Sequence, residues 1–141
     1  MTDINFYVSK QEGIDNRLAI VFRLVNLALQ RDLSVHIHTD SEQANQKVDN
    51  FLWSYDRASF IPHSIIDNEK ENNCSVNISH NHEPLTNCDY LINLTDQRPE
   101  FFSRFLKVAE ILDTSQETLT AGRKRYAFYR DRGYTLKYYQ L

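Results

Sequence analysis

The clearest candidate for chemistry is a run of basic and aromatic residues near the end of the chain, GRKRYAFYRDRGY. In a helix, Arg123, Tyr126 and Arg130 would lie on one face, because residues three and four positions apart are neighbours. A guanidinium group can grip a carboxylate through two parallel hydrogen bonds, and a tyrosine ring can wall an apolar slot. The pattern suits a peptide that ends in acidic groups, an aromatic side chain and a free carboxylate. Taken alone, such a charge run more often marks a solvated helix face.

The arginines of this run cannot all reach one pocket. Arg123 and Arg125 are about 200° apart around a helix, and Arg123 is the preferred ligand because it shares a face with Tyr126. Supporting basic residues, which would mainly raise the association rate, are Lys124, Arg130 and Lys137.

A second candidate is the stretch FLWSYDRASFIPH (residues 51–63), which holds the only tryptophan of the chain. Proline fixes its own φ angle and favours an extended conformation for the residue before it. A rigid apolar surface loses little entropy when a partner docks on it, and large aromatic residues often anchor interfaces. The predicted surface consists of Trp53, Phe60, Ile61, Pro62 and His63. The alternative is that these side chains fill the core of the domain.

Other groups of reactive residues lack the spacing that a site requires. His36 and His38 alternate on a predicted strand, without a third metal ligand nearby. The triplet at residues 80–82, HNH, lacks the surrounding pattern of a nuclease motif, and Cys74 and Cys88 lack the close spacing of a zinc site. We therefore expect no metal and no cofactor.

The motifs of the common α/β enzymes are also missing from the sequence. The first strand is followed by SKQEGIDN with a single glycine, and neither GxGxxG nor a Walker A motif occurs. There is no GxSxG motif for a nucleophilic serine. The sequence therefore predicts no catalytic site.

The elements that must position these residues alternate between strands and helices. Predicted strands are INFYV, LSVHIH, SVNIS and DYLINL, with weaker strand segments after the second helix and at FLKVAEIL. Predicted helices are NRLAIVFRLVNLALQRD with Asp15 as N-cap, TDSEQANQKVDNFLW with a cap at Thr39, Asp40 or Ser41, and residues 116–132. The tail GYTLKYYQL receives no assignment. This order predicts one α/β domain over residues 1–141: a largely parallel sheet with helices on both faces, Rossmann-like but without a nucleotide site.

Composition and charge fit a soluble globular protein of 141 residues. The net charge is −3, yet residues 114–141 hold six basic and only two acidic residues. This distribution favours an acidic partner at one end of the molecule over a long nucleic-acid track. There is no signal peptide and no membrane-spanning run, so we expect a cytoplasmic protein with reduced cysteines and without membrane contact.

Several segments together resemble a known family. The segments NRLAIVFRLVNLAL, LW followed by SFIPH, then LINL, and finally RKRYAFYRDRGY occur in an order and at separations that are similar to those of the chi subunits of bacterial DNA polymerase III. The likeness covers essentially the whole chain. One departure lies between the first helix and the second strand, where the family often has glycine and this chain has Arg31-Asp32.

The resemblance implies a non-enzymatic adaptor in the clamp-loader complex. Chi-like proteins bind the psi subunit and, on a separate face, the acidic C-terminal tail of single-stranded-DNA-binding protein; some also associate with a repair helicase through the psi surface. The resemblance assigns tail binding to Arg123, Tyr126, Lys124 and Arg130. It assigns psi binding to Trp53, Phe60, Ile61, Pro62 and His63. The alternatives are a nucleotide-handling α/β enzyme and direct binding of DNA by the basic helix, which the net acidity of the chain disfavours.

Overall fold

The computed structural model describes residues 2–55, 61–66, 75–84 and 88–141. In these residues the chain forms a seven-stranded sheet, in which every pair of neighbouring strands is parallel. The elements are β1 (Asp3–Ser9), α1 (Ile14–Gln30), β2 (Val35–His38), α2 (Glu42–Ser54), β3 (His63–Ile65), β4 (Val76–Ser79), β5 (Tyr90–Asn93), β6 (Lys107–Asp113), α3 (Gln116–Asp131) and β7 (Thr135–Gln140), with a short 3-10 turn at Phe102–Arg104.

The helices cover both faces of the sheet. The strand order is β3-β4-β2-β5-β6-β1-β7. Helices α1 and α2 pack on one face over a core that includes Val21, Val25 and Leu52. Helix α3 packs on the other face, where Phe6 and Tyr129 belong to a second core. The predicted fold class is therefore confirmed.

The predicted N-cap is confirmed for α2 but not for α1. Ser41 caps α2, because its Oγ accepts a hydrogen bond from the Ala44 N–H at 3.1 Å. The prediction of Asp15 as cap of α1 is wrong: the helix begins at Ile14, and the residue at the cap position is Gly13, which has no side chain that could cap the helix. The Gly13 N–H instead donates to Asp113 Oδ2 at 3.0 Å, so a carboxylate from the end of β6 lies beside the start of this helix.

Asp32 gives the turn after α1 the geometry that glycine usually provides. Its φ is 56°, in the left-handed region that few residues other than glycine adopt readily. The Leu33 N–H donates to Ala28 O, and the Asp32 N–H donates to Leu29 O. This hydrogen-bond pair is a Schellman motif, which ends α1 and directs the chain into β2.

The end of the chain adds a strand that the sequence did not predict. Residues of the tail form β7, which pairs in parallel with β1 in a register that sets Val8 opposite Gln140. The Leu141 N–H donates to Val8 O, and the Lys10 N–H donates to Leu141 O, both at 2.9 Å. Strand β7 is therefore one outer edge of the sheet, and β3 is the other. No helix within the described ranges is long and apolar enough to span a membrane.

Candidate interaction surfaces

Helix α3 and the edge strand β7 enclose a shallow hollow of about 320 Å³. Its floor comes from β1 and β6, its inner wall from α3, and its outer wall from β7. The lining side chains and backbone belong to Phe6, Val8, Leu112, Thr114, Leu119, Gly122, Arg123, Tyr126, Tyr138 and Gln140. A guanidinium group thus lies at the rim of a mostly apolar cavity.

Arg123 and Tyr126 are brought together as the helical spacing predicted. Arg123 is exposed, and Tyr126 is half-buried with its ring 5.3 Å from that of Phe6 in an edge-on contact. Gly122 lets α3 approach the sheet closely, because a Cβ at this position would lie 2.0 Å from Leu112 Cδ2. The resulting cavity is open to solvent and carries positive charge at its edge.

Arg125 points away from the hollow, in agreement with the angular separation predicted from the sequence. Its side chain is 5% exposed, and its Nε donates to Glu110 Oε1 at 3.1 Å. Two further donors reach the same carboxylate: Asn93 Nδ2 at 2.7 Å and the Tyr129 hydroxyl at 2.7 Å. Burial raises the pKa of Glu110, while Arg125 and these hydrogen bonds oppose that rise. Arg125 is therefore committed to fastening α3 to β5 and β6.

The three supporting basic residues do not line the hollow. Lys124 faces a neighbouring depression together with Arg98 and Phe128. Arg130 is exposed and pairs with the adjacent Asp131 at 3.3 Å. Lys137 is exposed on β7 at a position whose side chain faces the opposite side of the sheet from Tyr138. These residues add to the local positive potential, whereas Arg123 borders the cavity itself.

The second predicted surface lies at the other edge of the sheet, where α2 ends beside β3. The Trp53 side chain is 53% exposed, and its ring centroid is 4.9 Å from that of His63. Pro62 is exposed, and Ile65 on the edge strand is 39% exposed. An exposed apolar group is therefore present where α2 ends beside β3.

Two residues assigned to this surface are buried. Ile61 is 2% exposed and packs in the core beneath α1 and α2, so its predicted place on an exposed ridge is wrong. The His63 side chain is fully buried: its Nδ1 lies 2.6 Å from Ile61 O and its Nε2 lies 3.0 Å from Asp49 Oδ1. These two residues hold the segment against α2, because apolar burial and the His–Asp contact both favour the docked position. Phe60 lies outside the described residues.

The carboxyl ends of the central strands form a polar depression lined by histidine and acidic residues. His38, His80, Asp40 and Asp96 are among its lining residues, and Asn45 Nδ2 donates a hydrogen bond to His80 Nδ1 at 2.9 Å. Among the described residues, no three histidine, cysteine or acidic side chains are placed to hold a metal ion. Cys74 lies outside these residues, and Cys88 Sγ lies 3.8 Å from Pro84 O.

Sequence reasoning missed the part of the hollow that comes from strands. The sequence places Phe6 and Val8 in a predicted strand but in no predicted site, and Tyr138 and Gln140 lie in the tail without an assignment. The tail segment TLKYYQ is rich in the β-branched and aromatic residues that favour strands, which is the signal that could have revealed β7. That β7 would lie next to β1 is not visible in the sequence.

Comparison with known proteins places the chain in a family. The family model described as DNA polymerase III chi subunit, HolC, matches residues 1–137. A protein of Pseudomonas aeruginosa named DNA polymerase III subunit chi is 33% identical over 141 residues, which cover 100% of this chain and 98% of that protein. Proteins of the same name from Haemophilus influenzae and Escherichia coli are 28% identical over 103 residues (72% of each chain) and 26% identical over 141 residues (96% of each chain). The chain therefore belongs to the family of DNA polymerase III chi subunits, which are accessory subunits of the replicative polymerase.

Proposed function

We propose that this chain is a non-catalytic adaptor in the clamp-loader complex of DNA polymerase III. It binds the acidic C-terminal tail of single-stranded-DNA-binding protein in the hollow beside α3, and the psi subunit at the surface around Trp53. The observation that carries the proposal is the position of Arg123 at the rim of an apolar cavity walled by Tyr126 and Phe6. Membership of the chi family supports both assignments.

The chemistry of the hollow fits the end of an acidic peptide. A terminal aromatic side chain would enter the cavity and cover the apolar surfaces of Phe6, Val8 and Leu119. The carboxylates of the peptide would then lie beside the exposed guanidinium of Arg123, which can form charge-assisted hydrogen bonds with them. The remaining acidic residues of the peptide would meet the positive potential of Lys124 and Arg130.

The two proposed surfaces are far enough apart for two partners to bind at once. The hollow lies against β7 and the Trp53 surface lies against β3, which are opposite edges of the sheet. Neighbouring strands are roughly 4.8 Å apart, so the two edges are separated by about 29 Å. This arrangement suits an adaptor that joins one partner to another. A repair helicase that used the Trp53 surface would compete with psi but not with the tail.

The first strand–helix turn favours an adaptor over a nucleotide-handling enzyme. In nucleotide-binding folds the phosphates lie at this helix N-terminus, and here Asp113 Oδ2 accepts the Gly13 N–H instead. Burial acts to raise the pKa of Asp113, but hydrogen bonds from Ser115 and Gly13 hold it below its usual value. The ionised carboxylate would repel a phosphate. A thermal-shift screen with nucleotides and metals tests this, because a ligand that binds the native state raises the melting temperature.

Arg123→Ala tests the tail site. We expect this change to weaken binding of an acidic tail peptide by about tenfold or more, because a hydrogen bond to a charged group is lost. The measurement is fluorescence polarisation with a labelled peptide. Arg130→Ala is the matched control, since it removes an equal charge outside the hollow, and we expect a much smaller loss. Equal losses for the two variants, or strong binding of bare single-stranded DNA at Arg123, would contradict the assignment.

A further inference from the structure

Strand β7 presents unpaired backbone groups along the outer side of the hollow. It is the terminal strand of the sheet, with β1 as its only neighbour among the described residues. The Leu141 N–H and C=O both face β1, where they bond to Val8 O and the Lys10 N–H. In a parallel ladder the residues that bond to a given neighbour alternate. The N–H and C=O groups of Tyr138 and Gln140 therefore point outward from the sheet.

The residues with outward backbone groups are the same residues that wall the hollow. The side chains of Tyr138 and Gln140 line it together with Phe6, Arg123 and Tyr126. Tyr138 is 56% exposed, so this part of the edge strand is largely open to solvent. Within the part of the chain that the structure describes, these outward donors and acceptors have no strand partner, and they run beside a cavity with a cationic rim.

We infer that an acidic peptide binds here in an extended conformation, as an additional strand along β7. This inference rests on the proposed function and specifies how the tail is held. Residues of the peptide that lie opposite Tyr138 and Gln140 would project their side chains to the same face of the sheet, where the hollow lies. Hydrogen bonds to β7 would supply affinity that is independent of the peptide's sequence, and the hollow beside Arg123 would select an aromatic residue.

The charges along this edge favour an acidic peptide over a second copy of the chain. The segment TLKYYQ contains one lysine and no acidic residue, and Arg123 borders the hollow on the inner side. Edge-to-edge pairing of two β7 strands would bring two copies of Lys137 and two basic helices together. An acidic strand would instead meet opposite charge along its length.

The direct test uses the unmodified protein and a set of tail peptides, each with one backbone amide N-methylated. Methylation removes one donor and blocks pairing at that position. We expect losses of about three- to tenfold at every second residue of the paired segment, with small changes at the residues between them. A flat profile across the peptide, with the unmodified peptide still bound, would overturn the added-strand geometry and leave the proposed function intact.

A pair of variants at one position provides the complementary test. Gln140→Pro removes an outward N–H, which an edge strand tolerates, while Gln140→Ala removes the side chain and keeps the N–H. We expect Gln140→Pro to bind the tail peptide about three- to tenfold more weakly than Gln140→Ala. Equal affinities of two folded variants would contradict the inference.

Amide hydrogen exchange separates this inference from failure of the proposed function. Tail peptide at saturation should slow exchange of the Tyr138 and Gln140 amides, while the Leu141 amide, already bonded to β1, should change little. Protection confined to α3 would show that the peptide occupies the hollow without pairing with β7. If the unmodified peptide does not bind the wild-type chain at all, the proposed function itself has failed.

Discussion

At the scale of single residues, neighbours in the sequence have opposite tasks. Arg123 is exposed at the rim of the hollow, whereas Arg125 is buried and bonded to Glu110. The same contrast holds at the other surface, where Trp53 is 53% exposed and Ile61 is 2% exposed. In each case the exposed side chain faces solvent and the buried one packs inside the fold, and Arg125 also fastens the helix that carries Arg123.

Trp53 and Phe60 are the residues that we expect to carry psi binding. Trp53→Ala removes a large exposed aromatic group from the end of α2 and should abolish or strongly reduce copurification with psi, because such groups commonly contribute about 2 kcal/mol or more at an interface. Phe60→Ala should act in the same direction. Leu106→Ala is the control, since Leu106 is 59% exposed outside this surface. Copurification that is unchanged in both aromatic variants would refute the psi assignment, and binding of the tail peptide should persist in all three.

His38 should make stability depend on pH between about 4 and 6.5. Burial is the main cause that lowers the pKa of His38 from 6.5 to about 4. The nearby His80 also lowers this pKa, whereas the charge of Asp40 acts to raise it. The folded chain therefore stays neutral at His38 while the unfolded chain takes up a proton, so stability is lost as the pH falls through this window. Between pH 7 and pH 5, we expect the free energy of unfolding of the non-titrating variant His38→Gln to fall by about 1 to 2 kcal/mol less than that of the wild type. Denaturant unfolding at both pH values measures this, and an NMR titration of the His38 ring near 6.5 would contradict it.

At the scale of elements, the turn that ends α1 and the tail that forms β7 are the least predictable features. The departure from glycine at Arg31-Asp32 leaves the turn intact, because Asp32 adopts the left-handed conformation and the Schellman hydrogen bonds form. The tail, in turn, is a strand whose residues complete the hollow. Both features depend on short segments that connect or extend regular elements.

The conformation of Asp32 predicts an unusual order of substitutions. Asp32→Val should destabilise the protein by about 1 to 2 kcal/mol, because a β-branched side chain clashes in the left-handed region. Asp32→Gly should be neutral or stabilising, since glycine adopts this conformation without strain. Chemical denaturation of the two variants compares them directly. If valine and glycine had equal effects, the turn would not be left-handed at this residue.

At the scale of the whole molecule, the two surfaces should respond differently to salt. The proposed tail site would depend on charge at the rim of the hollow, and the proposed psi surface around Trp53 would depend on apolar contact. Screening lengths shrink from about 10 Å at 0.1 M salt to about 3 Å at 1 M. We expect tail binding to weaken steeply over this range while psi binding changes little. Titrations of each partner at several salt concentrations measure this, and parallel salt dependence at both sites would contradict two surfaces of different chemistry.

Local patterns in the sequence determined the fold class and the orientation of the side chains on α3. Helical spacing identified α3 to within one residue of its observed end and set Arg123 beside Tyr126, with Arg125 on another side. The alternation of strands and helices gave the parallel sheet covered on both faces. These features are predictable because helix periodicity and strand alternation are properties of consecutive residues.

Only the tertiary structure decided which distant segments meet. The hollow exists because Tyr138 and Gln140 of β7 lie beside Phe6 and Val8 of β1, a contact between opposite ends of the chain. Whether Ile61 is exposed likewise depends on the helices that pack over it. Strand pairing and burial are set by the competition among many non-local contacts, and no short stretch of sequence contains that information.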